Sequence, residues 1–183
     1  MMFRDSGLRG IVAGTTVAAL AACTGPMGGM LGGKSEERAV ANLQSTHGNF
    51  ALGTVTFTQA GDHVVVTADV RGLPANAVVG FHVHEKGDCS SDDGMSAGPH
   101  FNPLKKPHGQ GPERHVGDMP NLKADPTGRA LYRAELDLMT VADGPTSVVG
   151  KSVIVHRDPD DYTSQPAGNA GPRIACGVIQ RVS

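Results

Sequence analysis

The chain has 183 residues, with 18 acidic and 16 basic side chains, a formal charge of −2, no Trp, 25 Gly and 12 Pro. That length allows one domain with a real core, and the charge leaves no basic footprint for nucleic acid. The composition, with no long amphipathic pattern, argues for short strands joined by turns and long loops rather than for helices.

The first residues differ from all that follow. Arg4 and Arg9 precede a small, apolar run from Ile11 to Ala22, which is short for a membrane span and has the layout of a secretory signal. It ends in Leu20-Ala21-Ala22-Cys23, which resembles a bacterial lipoprotein signal cleaved before a lipidated Cys23. The alternative is an ordinary signal peptide cut at a small-residue site, with Cys23 incidental. Residues 1–22 are therefore expected to be the signal, and 23–38 a lipidated cysteine with a flexible, Gly-rich tether. Within that tether Met27 and Met30 read as spacer. Residues 39–183 are expected to form the folded domain.

Within the domain the pattern predicts strands over Thr54–Thr58, His63–Val70, Val78–Glu85, Arg129–Leu138, Ser152–His156 and Arg173–Gln180. Turn signals stand between them at Gly61-Asp62, Arg71–Asn76, Ala124–Gly128 and Ala142–Pro145. Two stretches, Lys86–Pro120 and Arg157–Pro172, have no periodicity. A loop of the first one's length inside a compact domain points to function. The fold class expected from regular short strands is an all-β sandwich or barrel of about eight antiparallel strands.

Five of the eight histidines fall between residues 82 and 115. In Phe81-His82-Val83-His84-Glu85 the strand period puts His82 and His84 on one face, a ready bidentate metal site. His100, His108, His115 and Asp118 offer three imidazoles and a carboxylate, a plausible tetrahedral zinc set. They also explain how a long loop is held in shape. His82, His84 and His156 remain, and imidazole coordination suits copper or zinc. Two four-coordinate sites need eight ligand positions where seven candidates exist, so one ligand serving both metals closes the gap. His100 lies between the two sets in sequence. Of three cysteines, Cys89 and Cys176 are left once Cys23 is lipidated. In an oxidising compartment such a pair is most simply a disulfide.

Five motifs, GFHVHEKGDC, GPHFNP, HVGDMPNL, VIVHRDPDDY and GNAGPRIACGVI, together resemble the copper/zinc superoxide dismutase family in its bacterial, exported form. The resemblance runs from about Asn42 to Val182. It implies a Greek-key barrel with two long functional loops, copper and zinc as cofactors, and superoxide as substrate. It further implies that His82, His84, His100 and His156 hold copper, that His100, His108, His115 and Asp118 hold zinc with His100 bridging, and that Cys89 and Cys176 form the disulfide. Arg173 becomes the guanidinium that receives the anion, and Asp160 the carboxylate linking a copper histidine to a zinc histidine, although Asp161 stands beside it. His47 and His63 match no ligand. The loop from Arg157 to Pro172 is shorter than in the eukaryotic form, and Lys86, Lys105 and Lys106 become candidates for steering superoxide. The rival expectation is a non-enzymatic copper/zinc-binding domain. A monomer and a homodimer both remain open. The expected location is the cell envelope outside the cytoplasmic membrane, with membrane contact only through the lipid, or otherwise a soluble periplasmic or secreted protein.

Overall fold

The computed structural model describes residues 37–182; the signal segment, Cys23, Met27 and Met30 lie outside them. Nine strands follow in chain order: β1 Arg38–Ser45, β2 Leu52–Ala60, β3 His63–Arg71, β4 Val78–Val79, β5 Phe81–His84, β6 Leu122–Lys123, β7 Ala130–Leu136, β8 Ser152–His156 and β9 Arg173–Val182. Seven of them form one antiparallel sheet in the order β5-β8-β9-β1-β2-β3-β7, and β4 pairs with β6. The β4–β6 ribbon closes the barrel: β4 runs on into β5 through Gly80, and β6 packs against β7. The chain crosses from β3 to the far edge and returns through β9 to β1, which is Greek-key order. The all-β expectation holds.

Alternation along the strands builds the core. Ala39, Ala41 and Leu43 of β1, Val55 and Phe57 of β2, and Val64, Val66, Ala68 and Val70 of β3 are buried together with Phe81, Val83, Val153 and Val155. Burying a side chain such as Phe57 contributes about 1.5–3 kcal/mol. On β5 every residue is buried. Phe81 and Val83 belong to the core, so the period of two sends His82 and His84 to the outer face, where the two long loops cover them.

The two-residue strand β6 is not among the expected strands, and two further features differ from expectation. The predicted strand Val78–Glu85 is broken at Gly80, whose N–H donates to Asp158 O at 2.8 Å and whose carbonyl accepts from His156 N at 2.8 Å. The pairing partner thereby changes from β6 to β8 at that residue. Strand β1 was not assigned because two of its three inward residues are alanines, which give a weak alternation signal.

Candidate metal centre

The free edge of β5 brings the long loop to the strand histidines. Val83 N–H donates to Gly117 O at 2.9 Å, Phe101 N–H to Val83 O at 2.9 Å, and Gly117 N–H to Phe101 O at 2.9 Å. These bonds place His100 opposite His84 and Asp118 opposite His82 as isolated antiparallel bridges. Directly opposed residues have Cβ atoms about 4.5–5.5 Å apart, so strand and loop ligands meet on one face. Glycine is required at 117 for this approach, since a Cβ there would lie 2.2 Å from Val83 O. On the other edge, the β8–β9 register shifts between Val155 and His156, opposite Arg173. Such a bulge re-aims the side chain that carries it.

Two groups of four ligand atoms result, each with its atoms within 4.8 Å of one another: His82, His84, His100 and His156, and His100, His108, His115 and Asp118. All seven residues are buried. Every ligand proposed from the sequence is thus brought into one of the two groups, and His100 belongs to both. His47 and His63 join neither.

Hydrogen bonds fix which nitrogen of each ring is free. His84 Nδ1 donates to Gly98 O at 2.8 Å and His156 Nδ1 to Gly171 O at 3.1 Å. A carbonyl only accepts, so both Nε2 atoms carry lone pairs. These face each other at 3.4 Å and repel unless a cation or proton lies between them. His82 Nε2 donates to Asp160 Oδ2 at 2.8 Å and His108 Nε2 to Asp160 Oδ1 at 2.9 Å, so each Nδ1 is an acceptor whenever its ring is neutral. His100 alone holds both nitrogens toward ligand groups: Nδ1 lies 2.9 Å from Asp118 Oδ1, and Nε2 has no hydrogen-bond partner.

The residues fit two cations. Asp118 Oδ1 lies 2.9, 3.0 and 3.2 Å from the Nδ1 atoms of His100, His108 and His115. Tetrahedral ligands at a zinc distance of 2.0–2.1 Å lie about 3.3 Å apart. Four buried ring nitrogens, His82 Nδ1, His100 Nε2, His108 Nδ1 and His115 Nδ1, have no hydrogen-bond partner. Buried polar atoms are rarely left so, and metal ions at the two groups would satisfy all four. Asp160 lies between the groups as the shared outer carboxylate, the arrangement that holds ligating histidines in one tautomer. The neighbouring Asp161 instead accepts from Thr163 N and Ser164 N within its own loop.

The electrostatics follow from burial. His84 is held well below the usual imidazole range by burial and then by the charge of His100, and His156 is pressed down to about 3 by burial and then His82. Burial outweighs the Asp118 bond at His100, which falls to about 4. Burial pulls His108 down too, but Asp118 and Asp160 together push it up to about 9. Burial alone would raise Asp118 and Asp160, yet the histidine hydrogen bonds hold both below the carboxylate range.

Arg173 opens β9 and lines the same cleft as His84, His100 and His156. Its Nη1 donates to Gly94 O at 2.8 Å and its Nη2 to Gly98 O at 2.7 Å. The Gly98 carbonyl therefore holds both Arg173 and His84. The segment carrying Gly94 and Gly98 is tied to β9 by the Cys89–Cys176 disulfide, with Cα atoms 5.7 Å apart. The main-chain acceptors Gly94, Gly98 and Gly171 were not visible in the sequence, because a carbonyl leaves no residue signature.

A family model described as copper/zinc superoxide dismutase matches residues 51–179. The chain belongs to the copper/zinc superoxide dismutase family. A superoxide dismutase (Cu-Zn) from Candida glabrata is 47% identical over 152 residues, covering 78% of this chain and 96% of that protein. One from Aquifex aeolicus is 39% identical over 151 residues, covering 78% and 86%. Among solved structures, the clock protein EA4 aligns with a TM-score of 0.71 at 39% identity, over 79% of this chain and 94% of that one. A SOD-like protein from Bacillus subtilis aligns with a TM-score of 0.69 at 31% identity, over 75% and 95%. The cofactors of the family are copper and zinc, and the two histidine groups fit them.

Proposed function

We propose that this chain converts two superoxide ions and two protons into dioxygen and hydrogen peroxide. Copper is held by His82, His84, His100 and His156, and zinc by His100, His108, His115 and Asp118. The observation that carries this reading is His100, whose two ring nitrogens serve two ligand groups and no main-chain acceptor. When bound, copper supplies a one-electron couple between Cu(II) and Cu(I), and zinc a fixed positive charge.

The chain's own residues supply the rest. His82, His84 and His156 present lone pairs whose direction is set by Asp160, Gly98 and Gly171. His100 Nε2, which has no hydrogen-bond partner among the described residues, is the atom that takes up and hands on a proton. Arg173 has five donors and spends two bonds on Gly94 and Gly98, so the remaining N–H groups are left to receive an anion. Of the lysines, Lys106 is paired with Glu113, so the steering role passes to Lys86 and Lys105.

The location belongs to the same proposal. The basic start, the apolar run and Leu20-Ala21-Ala22-Cys23 support cleavage before a lipidated Cys23 and display outside the cytoplasmic membrane. The Cys89–Cys176 disulfide suits an oxidising compartment. Among the described residues no helix is long and apolar enough to cross a membrane. Mass spectrometry of the mature N-terminus checks this, and an unmodified Cys23 would remove the lipid. The activity is tested on protein loaded with one copper and one zinc per chain. Catalytic removal of superoxide with release of peroxide is expected. A folded, loaded sample working only at the uncatalysed rate would leave a metal-binding domain.

A further inference from the structure

His108 stands in a stretch without regular structure, yet both its main-chain groups are bonded. Its N–H donates to Gln165 Oε1 at 2.8 Å, and its carbonyl accepts from Gln165 Nε2 at 2.9 Å. One side-chain amide thus does for His108 what a neighbouring strand does in a sheet, and among the described residues no main-chain partner serves His108. Gln165 lies on the other long loop, which also carries Asp160, the acceptor of the His108 ring N–H.

The grip is reciprocal. Asn121, on the far side of Asp118, holds the main chain of Asp160 in the same two-point manner: Asp160 N–H donates to Asn121 Oδ1 at 3.0 Å, and Asn121 Nδ2 donates to Asp160 O at 2.9 Å. Tyr162 closes the set, its N–H donating to Asp160 Oδ1 at 2.7 Å and its hydroxyl accepting from Asn121 N–H at 2.8 Å. Each loop therefore supplies an amide that fixes the main chain of the other loop's partner in the His108–Asp160 ion pair. The loop 157–172 also passes close over that pair. Glycine stands at 168 with φ +64°, where a Cβ would lie 1.8 Å from Asp160 Oδ1 and 2.6 Å from His108 Nε2.

We infer that Gln165 is a positioning residue for the zinc ligand His108, fixing its main chain so that Nδ1 is aimed before the metal arrives. Gln165 holds His108 through its main-chain atoms and contributes no atom to either ligand group. This rests on the zinc assignment above. Gln165 is solvent-exposed, so its replacement removes the clamp without opening the core, and water replaces the two bonds without their geometry. Outer partners of metal ligands typically affect affinity 10–100-fold, and the lower end applies because the ring contact to Asp160 remains.

The test uses the full domain and zinc alone, titrated against a chelator at fixed pH. Gln165→Met should weaken zinc binding about tenfold and speed hydrogen exchange at the His108 amide, in the metal-free as well as the zinc-loaded protein. Gln165→Glu, which keeps the acceptor and loses the donor, should fall between wild type and Met. Asn169→Gly is the control. It removes side-chain bonds to Asp161 and Ser164 inside the same loop without touching His108, and should leave zinc affinity and exchange at His108 unchanged. Wild-type protein that fails to bind zinc would sink the zinc assignment itself. Normal zinc affinity and exchange in Gln165→Met, or equal losses in Asn169→Gly, would overturn the positioning role alone. Cobalt in place of zinc adds a spectroscopic readout: a shifted visible spectrum in Gln165→Met marks a re-aimed His108, and an unchanged one counts against it.

Discussion

Asp160→Asn separates the two metals by donor counting. The carboxylate accepts three N–H groups: His82 Nε2 at 2.8 Å on Oδ2, and His108 Nε2 at 2.9 Å with Tyr162 N at 2.7 Å on Oδ1. An asparagine has one acceptor oxygen and two donor hydrogens. The oxygen settles where two donors point, toward His108 and Tyr162, and the amino group then faces His82 Nε2–H, donor against donor. His82 relieves this by moving its proton to Nδ1, the atom needed for copper. The cost is one charge-assisted hydrogen bond, about 1.5–3 kcal/mol. That corresponds to roughly a 10–100-fold loss of copper affinity, the range found for outer-sphere partners. Zinc affinity should fall by less, because the bond to His108 survives in neutral form. Chelator competition for each metal, at one pH and on the same preparation, reads both numbers. Zinc binding lost with copper binding intact would refute the orientation argument, and no loss of either would refute the role of Asp160.

Arg173→Glu should lower the superoxide rate strongly at unchanged copper content, and the wild-type rate should fall as salt rises, because exposed charges are screened over about 8–10 Å at moderate ionic strength; a salt-independent rate would argue against steering. Replacing Cys89 and Cys176 by serine removes a link spanning 87 residues, worth up to about 4.6 kcal/mol on the loop-entropy relation; denaturant unfolding of the metal-free protein measures it, and a change under about 1 kcal/mol would refute that account. Stability of the metal-free protein should fall as pH drops below about 6.5. His100 and His156, at about 4 and 3, stay neutral when folded but charge when unfolded, so the unfolded state binds more protons there, up to about 1.4 kcal/mol per unit for each. His108, at about 9, runs the other way, its contribution present below about 6.5 and lost as pH rises through 9. A urea midpoint that is the same at pH 5 and pH 7 would contradict the burial argument.

Much of the fold was legible because strands with a core on one side alternate. Ser152–His156 came out with the predicted bounds, and β3 within one residue at its end. Strand β1 escaped because Ala39 and Ala41 carry little hydrophobic contrast, although both are fully buried. The break at Gly80 escaped because a change of pairing partner leaves no mark on composition. At the site, the side chains that gather into the two ligand groups were legible by residue type and spacing. The resemblance named Asp160, but residue type alone does not set it apart from Asp161, since their difference lies in the path of the loop: Asp160 points inward to two histidines, while Asp161 turns back to Thr163 and Ser164. The amide clamps of Asn121 and Gln165 were invisible for the same reason, because their partners are main-chain atoms.

The site places soft elements on a hard edge. Strand β5 is bonded to β8 on one side and to two short pieces of the long loop on the other. His82 and His84 thus sit on a rigid strand, while His100 and Asp118 gain comparable precision from three main-chain bonds. His108 and His115 lack such a ladder. His108 depends on the second loop, and its placement is shared between Asp160 and Gln165; the main-chain N–H of His115 lies 3.2 Å from Asp118 Oδ2. It follows that the zinc ligands should order in two stages as the chain folds. His100 and Asp118 order with the barrel, and His108 only when the loop 157–172 has closed over it. Hydrogen exchange on the metal-free protein should therefore protect Phe101, whose N–H donates to Val83 O of β5, and Gly117, whose N–H donates to Phe101 O, more strongly than His108. Equal protection at all three would mean that the two loops and the barrel form one cooperative unit.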